Sequence, residues 1–256
     1  MTFMALKTTI NQSRRTPLSW LVNALVPPAC PVCLKPVAGD DGLCAACWRN
    51  IQFISGPVCR RTGLPMPIDL GEETISPLAR AQPPPYDQAR AVFAYKDSGA
   101  AVIKRMKFGD RPELAQLLAR LIYSRLPHML PRHALLLPVP LHRRRLLWRR
   151  FNQSAELCRH IGELSGQSMA LEAVSRIRST RQQIGLTRAG RKRNLRGAFA
   201  VSDSQKHRLK GRAVVIVDDV QTTGATVEAM ERILRRAGAA PINVVTAARV
   251  VLPERV

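Results

Sequence analysis

Two groups of residues in this sequence have the types and spacing to do chemistry. The first is Cys30, Cys33, Cys44 and Cys47, in the pattern Cys-x2-Cys-x10-Cys-x2-Cys. Each knuckle presents a pair of thiolates, and the two together can close a tetrahedral zinc shell. Pro31 stiffens the first knuckle, Gly39 and Gly42 let the chain reverse, and Trp48 offers a large apolar side chain beside the metal. A closed four-thiolate shell leaves no position for water, so one structural zinc is expected. It would supply on the order of 10 kcal/mol of folding free energy to a stretch with little core of its own. Two disulfides or four free thiols are the alternative, disfavoured by the ribbon-like spacing and by the lack of any sign of an oxidising compartment.

The second group is the run Val214-Val215-Ile216-Val217-Asp218-Asp219-Val220-Gln221-Thr222-Thr223-Gly224-Ala225-Thr226. It reads as a buried parallel strand ending in two acids, then a Thr/Gly loop opening a helix with apolar residues at Val227, Met230, Leu234 and Ala237. Ligands of open α/β sheets bind at the carboxyl ends of strands. A helix amino terminus with backbone N–H groups and hydroxyls is a phosphate site, and Gly224 permits close approach of the backbone. Asp218 and Asp219 would then sit one ribose away, able to accept from vicinal hydroxyls. Two rival readings are a magnesium-binding strand of a P-loop NTPase and a bare strand–turn–helix with solvated acids. The first lacks any Gly-x4-Gly-Lys-Ser/Thr in the chain, and the second leaves the Thr-Thr-Gly-Ala-Thr spacing without a purpose.

These residues need a scaffold. Residues 63–85 are proline-rich, with little apolar periodicity, and a boundary is placed near residue 85. Beyond it, strand-like runs (91–95, 135–139, 213–217, 242–245) alternate with helix-length amphipathic stretches (113–125, 153–165, 225–237). That alternation predicts an α/β fold with a parallel sheet covered by helices on both faces, preceded by a small cysteine zinc ribbon. The organisation expected is an amino-terminal amphipathic segment (1–27), a zinc-ribbon module with its linker (28–85) and a ligand-binding domain (86–256). Ser13-Arg14-Arg15 before a short apolar stretch superficially resembles a twin-arginine signal, but Pro27-Pro28 end it without a cleavage site, and it is read as a helix packing on the body. No stretch reaches the ~18 consecutive apolar residues of a membrane helix. Of six cysteines, Cys59 stands alone and Cys158 falls in a helix as a small core residue.

The chain has 256 residues, 46% of them apolar, and a formal net charge of +22. It can bury a sizeable core, and it attracts polyanions: nucleic acid, phosphorylated small molecules or an anionic membrane surface. Residues 141–212 hold 18 Lys/Arg against four acids, a net +14, so the charge is clustered.

The acid pair with its Thr/Gly loop resembles the phosphoribosyl-pyrophosphate (PRPP) signature of type I phosphoribosyltransferases. Joined to the cysteine ribbon, it resembles the ComF/GntX family, bacterial proteins associated with DNA uptake and competence. The resemblance runs from about Cys30 to Arg249. It includes Val139-Pro140-Leu141-His142-Arg143, Arg149-Arg150-Phe151-Asn152-Gln153, and Thr180-x2-Gln183-x2-Leu186 with Arg191-x2-Asn194-Leu195-Arg196-Gly197-Ala198-Phe199. The resemblance implies that Asp218 and Asp219 bind ribose and that Thr222, Thr223, Gly224, Ala225 and Thr226 cradle the 5′-phosphate. It implies a pyrophosphate loop at 140–143, with His142 and Arg143 as contacts, and a mobile hood over 178–196 offering Arg181, Arg188, Arg191 and Arg193. Forked guanidinium groups suit pyrophosphate oxygens. Mg²⁺ would accompany PRPP. The family commonly has a further pair of knuckles, and here Thr62 stands where the partner of Cys59 would be; the later pair is absent before Pro83, so residues 57–82 are expected to be loose or held by packing alone.

Two functions follow. One is a phosphoribosyltransferase-like protein acting in DNA uptake or related DNA handling, with displacement of pyrophosphate if catalytic; no general base stands out and the nucleophile is unreadable. The other is a non-catalytic single-stranded-DNA-binding accessory protein. Its candidate contacts are Arg143, Arg144, Arg145, Trp148, Arg149 and Arg150, with Trp148 as the stacking residue and Phe151 and Phe199 assigned to the core. DNA-uptake proteins are candidate partners. The expected compartment is the cytoplasm, with peripheral attachment at the inner membrane as a weaker alternative.

Overall fold

The computed structural model describes residues 28–37, 42–71, 74–109, 111, 113–149, 151–179 and 188–251; at Arg144, Arg145, Trp148, Arg188, Ala189, Arg191 and Lys192 it describes the backbone alone. The expected amino-terminal helix (1–27) lies outside the described residues. Apolar runs form four parallel strands, β1 (Gln88–Ala94), β2 (Leu135–Pro138), β5 (Val214–Gln221) and β6 (Ile242–Arg249), in the order β1-β6-β5-β2. Two short strands, β3 (Val174–Arg176) and β4 (Phe199–Val201), pair antiparallel outside this sheet.

Because successive strand residues point to opposite faces, the continuous apolar runs feed two cores. Val215, Val217, Leu136, Val245 and Ala247 pack with α3 (Asp97–Phe108), α4 (Glu113–Arg125) and α6 (Gln153–Ser165). Val214, Ile216, Leu135, Leu137, Ile242 and Val244 pack with α9 (Ala225–Arg236) and with residues of β3, β4 and α7 (Arg188–Leu195). The parallel sheet buried on both faces is the architecture expected from the alternation of elements. The remaining helices are short: α1 (Ala45–Arg49), α2 (Pro77–Ala81), α5 (Arg143–Arg149) and α8 (Lys206–Leu209). Sequence periodicity missed α3, whose stretch includes Gly99. That glycine is set by packing, since a Cβ there would lie 2.7 Å from the Phe93 ring.

The amino-terminal segment is stitched to the outer edge of β1. Phe53 bridges Phe93, the Ile54 N–H donates to Val92 O (2.9 Å), and the Ala94 N–H donates to Gln52 O (2.8 Å). A sheet edge that would otherwise present unpaired backbone groups is thus covered. Phe53 stands between Trp48 (centroids 5.6 Å) and Phe93 (6.4 Å), with the Arg125 guanidinium 3.9 Å over its ring. Further along, the Ala89 N–H donates to Arg61 O (2.9 Å).

Gly63 makes that second seat possible, with φ +67° and an imagined Cβ only 2.3 Å from Ala89 O. Gly71 shares the left-handed conformation, φ +63°, but faces open space. Gly71→Ala should therefore cost only the backbone term, about 1–2 kcal/mol. Gly63→Ala should cost clearly more and release amide protection at Ala89. Equal unfolding free energies for the two variants in urea would show that the contact is unimportant.

Candidate functional site

Asp218 and Asp219 lie on β5, in the interior of the sheet between β6 and β2. The strand does not end at them, as the sequence reading had it, but continues to Gln221. Asp218 is in register with Thr246, and Gln221 with Arg249, because β6 is long enough to extend the ladder. Asp218 accepts from the Ser154 hydroxyl (2.8 Å) and from the Asp219 N–H (2.9 Å). The Asp219 carboxylate is buried and meets Lys107 Nζ at 2.7 Å. Burial and then the neighbouring charge of Asp219 push the Asp218 carboxyl up to about 7, against the opposing pull of Lys107 and Ser154. Sequence reasoning missed Lys107 and Ser154. The first is one residue from the end of a helix it did not recognise, and the second directly follows Asn152-Gln153 in a stretch quoted only for its resemblance.

After β5 the chain passes Thr222 and Thr223 to Gly224, which turns left-handed (φ +79°) and opens α9 with no side-chain cap hydrogen bond. The helix amino end is thus left with backbone donors for a ligand. Thr222 is exposed, Ala225 is buried and Thr226 is half-buried. The Thr223 hydroxyl is buried without a hydrogen-bond partner. The loop is braced from within: Gln221 Nε2 donates to the Tyr86 hydroxyl (3.2 Å), and a Cβ on Gly224 would come 3.4 Å from that same Nε2.

The turn after β2 lies alongside. Pro138 is in register with Val217, and the Val139 N–H donates to Val217 O (3.0 Å). Asn152, the N-cap of α6, accepts from the Ser154 N–H and donates Nδ2 to Val139 O (3.1 Å). One side chain therefore ties the turn to the helix that supplies Ser154. His142 is half-buried, and its carbonyl accepts the Leu146 N–H (3.0 Å). Arg143 is exposed but is the first residue of α5 and not part of the turn. Arg149 is held inward, with Nη1 3.3 Å from Gln153 Oε1 and its guanidinium 4.9 Å over the Phe108 ring. Arg144, Arg145 and Trp148 lie on α5 with only the backbone described, and Arg150 is outside the described residues.

Of the expected hood, Arg181 lies outside the described residues, and Arg188 and Arg191 are placed on α7 by backbone alone; Arg193 is exposed there. The base of this segment is defined. β3 and β4 pair at its two ends, and the Arg178 guanidinium donates to Asn194 O (2.9 Å) and Arg196 O (2.6 Å). Phe199 and Cys158 are core residues, as expected, and burial pushes the Cys158 thiol up to about 12.

The four ribbon cysteines converge, with their sulfurs all within 4.8 Å of one another and Cys33 Sγ 3.5 Å from Cys44 Sγ. Zn–S bonds of about 2.3 Å in a tetrahedron place sulfurs about 3.8 Å apart, so the donor set fits zinc. The Cys47 N–H points to Cys44 Sγ (3.5 Å), and the tight turn Leu34 N–H to Cys30 O (2.8 Å) shapes the first knuckle. This is a zinc ribbon in front of a phosphoribosyltransferase-type α/β sheet. Residues 21–77 match the double zinc ribbon domain, and residues 166–251 the phosphoribosyl transferase domain. The chain is 36% identical over 227 residues to DNA utilization protein YhgH of Escherichia coli (strain K12), covering 86% of this chain and 96% of that one. It is 30% identical over 209 residues to Competence protein F of Haemophilus influenzae, covering 80% and 89%. A hypoxanthine phosphoribosyltransferase from Staphylococcus aureus overlaps 53% of this chain and 62% of its own at 15% identity, with a TM-score of 0.32, too little to argue from. The chain belongs to the ComF/YhgH (GntX) family. No helix among the described residues is long and apolar enough to cross a membrane.

The raised Asp218 carboxyl has a stability signature. The folded protein keeps a proton that the unfolded chain releases at the ordinary carboxylate value, so this contribution is fully present below about pH 4 and lost as pH rises through about 7. Asp218→Asn keeps the neutral form throughout. Urea unfolding should show the variant gaining on the parent between pH 5 and pH 8; parallel curves would mean that Asp218 ionises normally.

Proposed function

We propose that this protein binds PRPP with Mg²⁺ at the carboxyl end of β5. The observation carrying this reading is an acid pair near the end of β5 and, five residues after Asp219, a left-handed glycine that opens a twelve-residue helix without a side-chain cap hydrogen bond. In this reading Asp218 and Asp219 accept from the ribose hydroxyls, and Thr222 to Thr226 surround the 5′-phosphate with backbone N–H groups and hydroxyls. The turn at 140–142, with His142 and the neighbouring Arg143, takes the pyrophosphate, and Arg181, Arg188, Arg191 and Arg193 are the hood's candidates for binding it. Among the described residues, the ribbon cysteines are the one cluster of three or more ligating side chains. Mg²⁺ would accompany the pyrophosphate and supply charge neutralisation there. Lys107 offsets the negative charge of the acid pair, and Ser154 fixes the orientation of Asp218.

Turnover would be a displacement at the anomeric carbon: a bond forms to the incoming nucleophile while the bond to the pyrophosphate oxygen breaks, and the arginines stabilise the departing charge. Calorimetry with PRPP and Mg²⁺ at pH 8 should give binding that weakens at least tenfold, about 1.4 kcal/mol, in Asp218→Asn/Asp219→Asn. Unchanged affinity would remove the ribose assignment. Pyrophosphate release, assayed against nucleobases, amines and DNA, separates an enzyme from a binding module.

A second reading, single-stranded DNA as partner in uptake or utilisation, is favoured by the names of the two relatives and by the exposure of Arg143, Arg193 and Arg196. Arg143–Arg145→Ala should lower DNA affinity and flatten its salt dependence by up to about two units of slope. Identical binding at every salt concentration would dismiss these arginines as DNA contacts.

A further inference from the structure

Residues 28–49 and 57–81 build one unit twice. Cys30 and Cys33 correspond to Cys59 and Thr62, 29 positions on; Cys44 and Cys47 correspond to Ser76 and Ala79, 32 positions on. The first knuckles match bond for bond. The Cys30 N–H reaches Lys35 O at 2.8 Å and the Cys59 N–H reaches Leu64 O at 2.7 Å. The Leu34 N–H returns to Cys30 O at 2.8 Å, and the Gly63 N–H returns to Cys59 O at 2.7 Å. Leu34 and Gly63 are both left-handed (φ +62° and +67°), and each turn is closed by a bridge, Ala29 to Pro36 and Val58 to Pro65. The second knuckles match as well. Cys44 (φ −63°, ψ 156°) caps α1 and Ser76 (φ −61°, ψ 148°) caps α2. Their side chains accept the N–H of Cys47 (3.5 Å) and of Ala79 (3.2 Å) in the same way.

The donor set differs. Where the first unit gathers four thiols, the second has one thiol, two hydroxyls and a methyl group. Neutral hydroxyls and a methyl cannot replace thiolates or imidazoles around zinc, so residues 57–81 do not fit the second metal that the description "double zinc ribbon" implies. The two knuckles still face each other, since the Ser76 N–H points to Cys59 Sγ at 3.3 Å and Cys59 is fully buried. Burial pushes the Cys59 thiol up, but donors at Ser76 and Thr62 outweigh it and draw the group down to about 7, as donors around a metal-bound sulfur would. Three arginines, Arg61 from within the unit and Arg90 and Arg249 from outside it, pin it to its surroundings. Arg61 donates to Pro84 O (2.9 Å) and Tyr86 O (2.8 Å), Arg90 to Arg60 O (2.8 Å), and Arg249 to Thr62 O. Residues 57–71 and 74–81, in a stretch expected to be loose or held by packing alone, carry these hydrogen bonds as well.

We propose that residues 57–81 are a second ribbon that has lost its metal, its knuckles joined instead by the Cys59, Thr62 and Ser76 cluster and clamped to the sheet by arginines. The backbone cage for a metal is retained, so Thr62→Cys/Ser76→Cys/Ala79→Cys restores a second zinc site. Elemental analysis of the full chain should return about one zinc for the parent and two for the triple variant, and cobalt substitution should roughly double the thiolate charge-transfer absorbance. Two zincs in the parent would overturn the proposal, as would a folded triple variant that retains only one. Should the variant fail to fold, the parent decides. After chelation, hydrogen exchange should accelerate across 28–49 while 57–81 keeps its protection, and loss of protection in both units would overturn the proposal.

Discussion

Two carboxylates side by side on a buried strand are the constraint around which the sheet domain is arranged. Like charges in a low-dielectric setting repel, and each must find a partner or keep its proton. Asp219 takes Lys107 from the end of α3, while Asp218 takes the Ser154 hydroxyl and holds its proton up to near neutrality. Ser154 is in place because Asn152 starts α6, and the same Asn152 holds the turn after β2. Elements far apart in sequence are thus tied together within reach of one strand.

The amino-terminal part solves a different problem, how a stretch with few core residues stays folded. The first unit does so with four thiols suited to zinc, and the second with hydrogen bonds and arginine clamps. The link between them rests on β1 through Phe53 against Phe93, and the second unit rests on it through Arg61 O against the Ala89 N–H. Ribbon and sheet edge therefore cover one another, the ribbon gaining a platform and the sheet losing an open edge.

The positive charge also acquires structural roles. Arg61, Arg90, Arg178, Arg208, Arg212 and Arg249 donate to backbone carbonyls. Arg149 lies against Phe108 and Gln153. Carbonyls orient these groups without cancelling their charge, so the basic field persists while the forks are committed to the fold. The surplus in residues 141–212 is accordingly a weaker argument for a polyanion than the sequence alone made it. Exposed groups such as Arg143 and Arg193 carry what remains of that argument.

What the sequence determined by itself was local and periodic. Cysteine spacing specified a four-thiol cluster, alternating apolar runs specified a parallel sheet between helices, and an acid pair before a Thr/Gly loop marked the carboxyl-terminal part of a central strand, though not its last residue. Each is a short-range pattern, legible because strand, helix and knuckle geometry are set within a few residues. Only the tertiary structure decided which partners those groups meet. Lys107 and Ser154 belong to no motif, and their roles come from strands and helices brought together over 112 and 64 positions of chain. The second ribbon was legible only in part, at Cys59 and Thr62, and for the same reason. Thr62, Ser76 and Ala79 have lost the cysteine signature, while the turns and helix caps that define the unit are backbone features the side-chain pattern no longer reports.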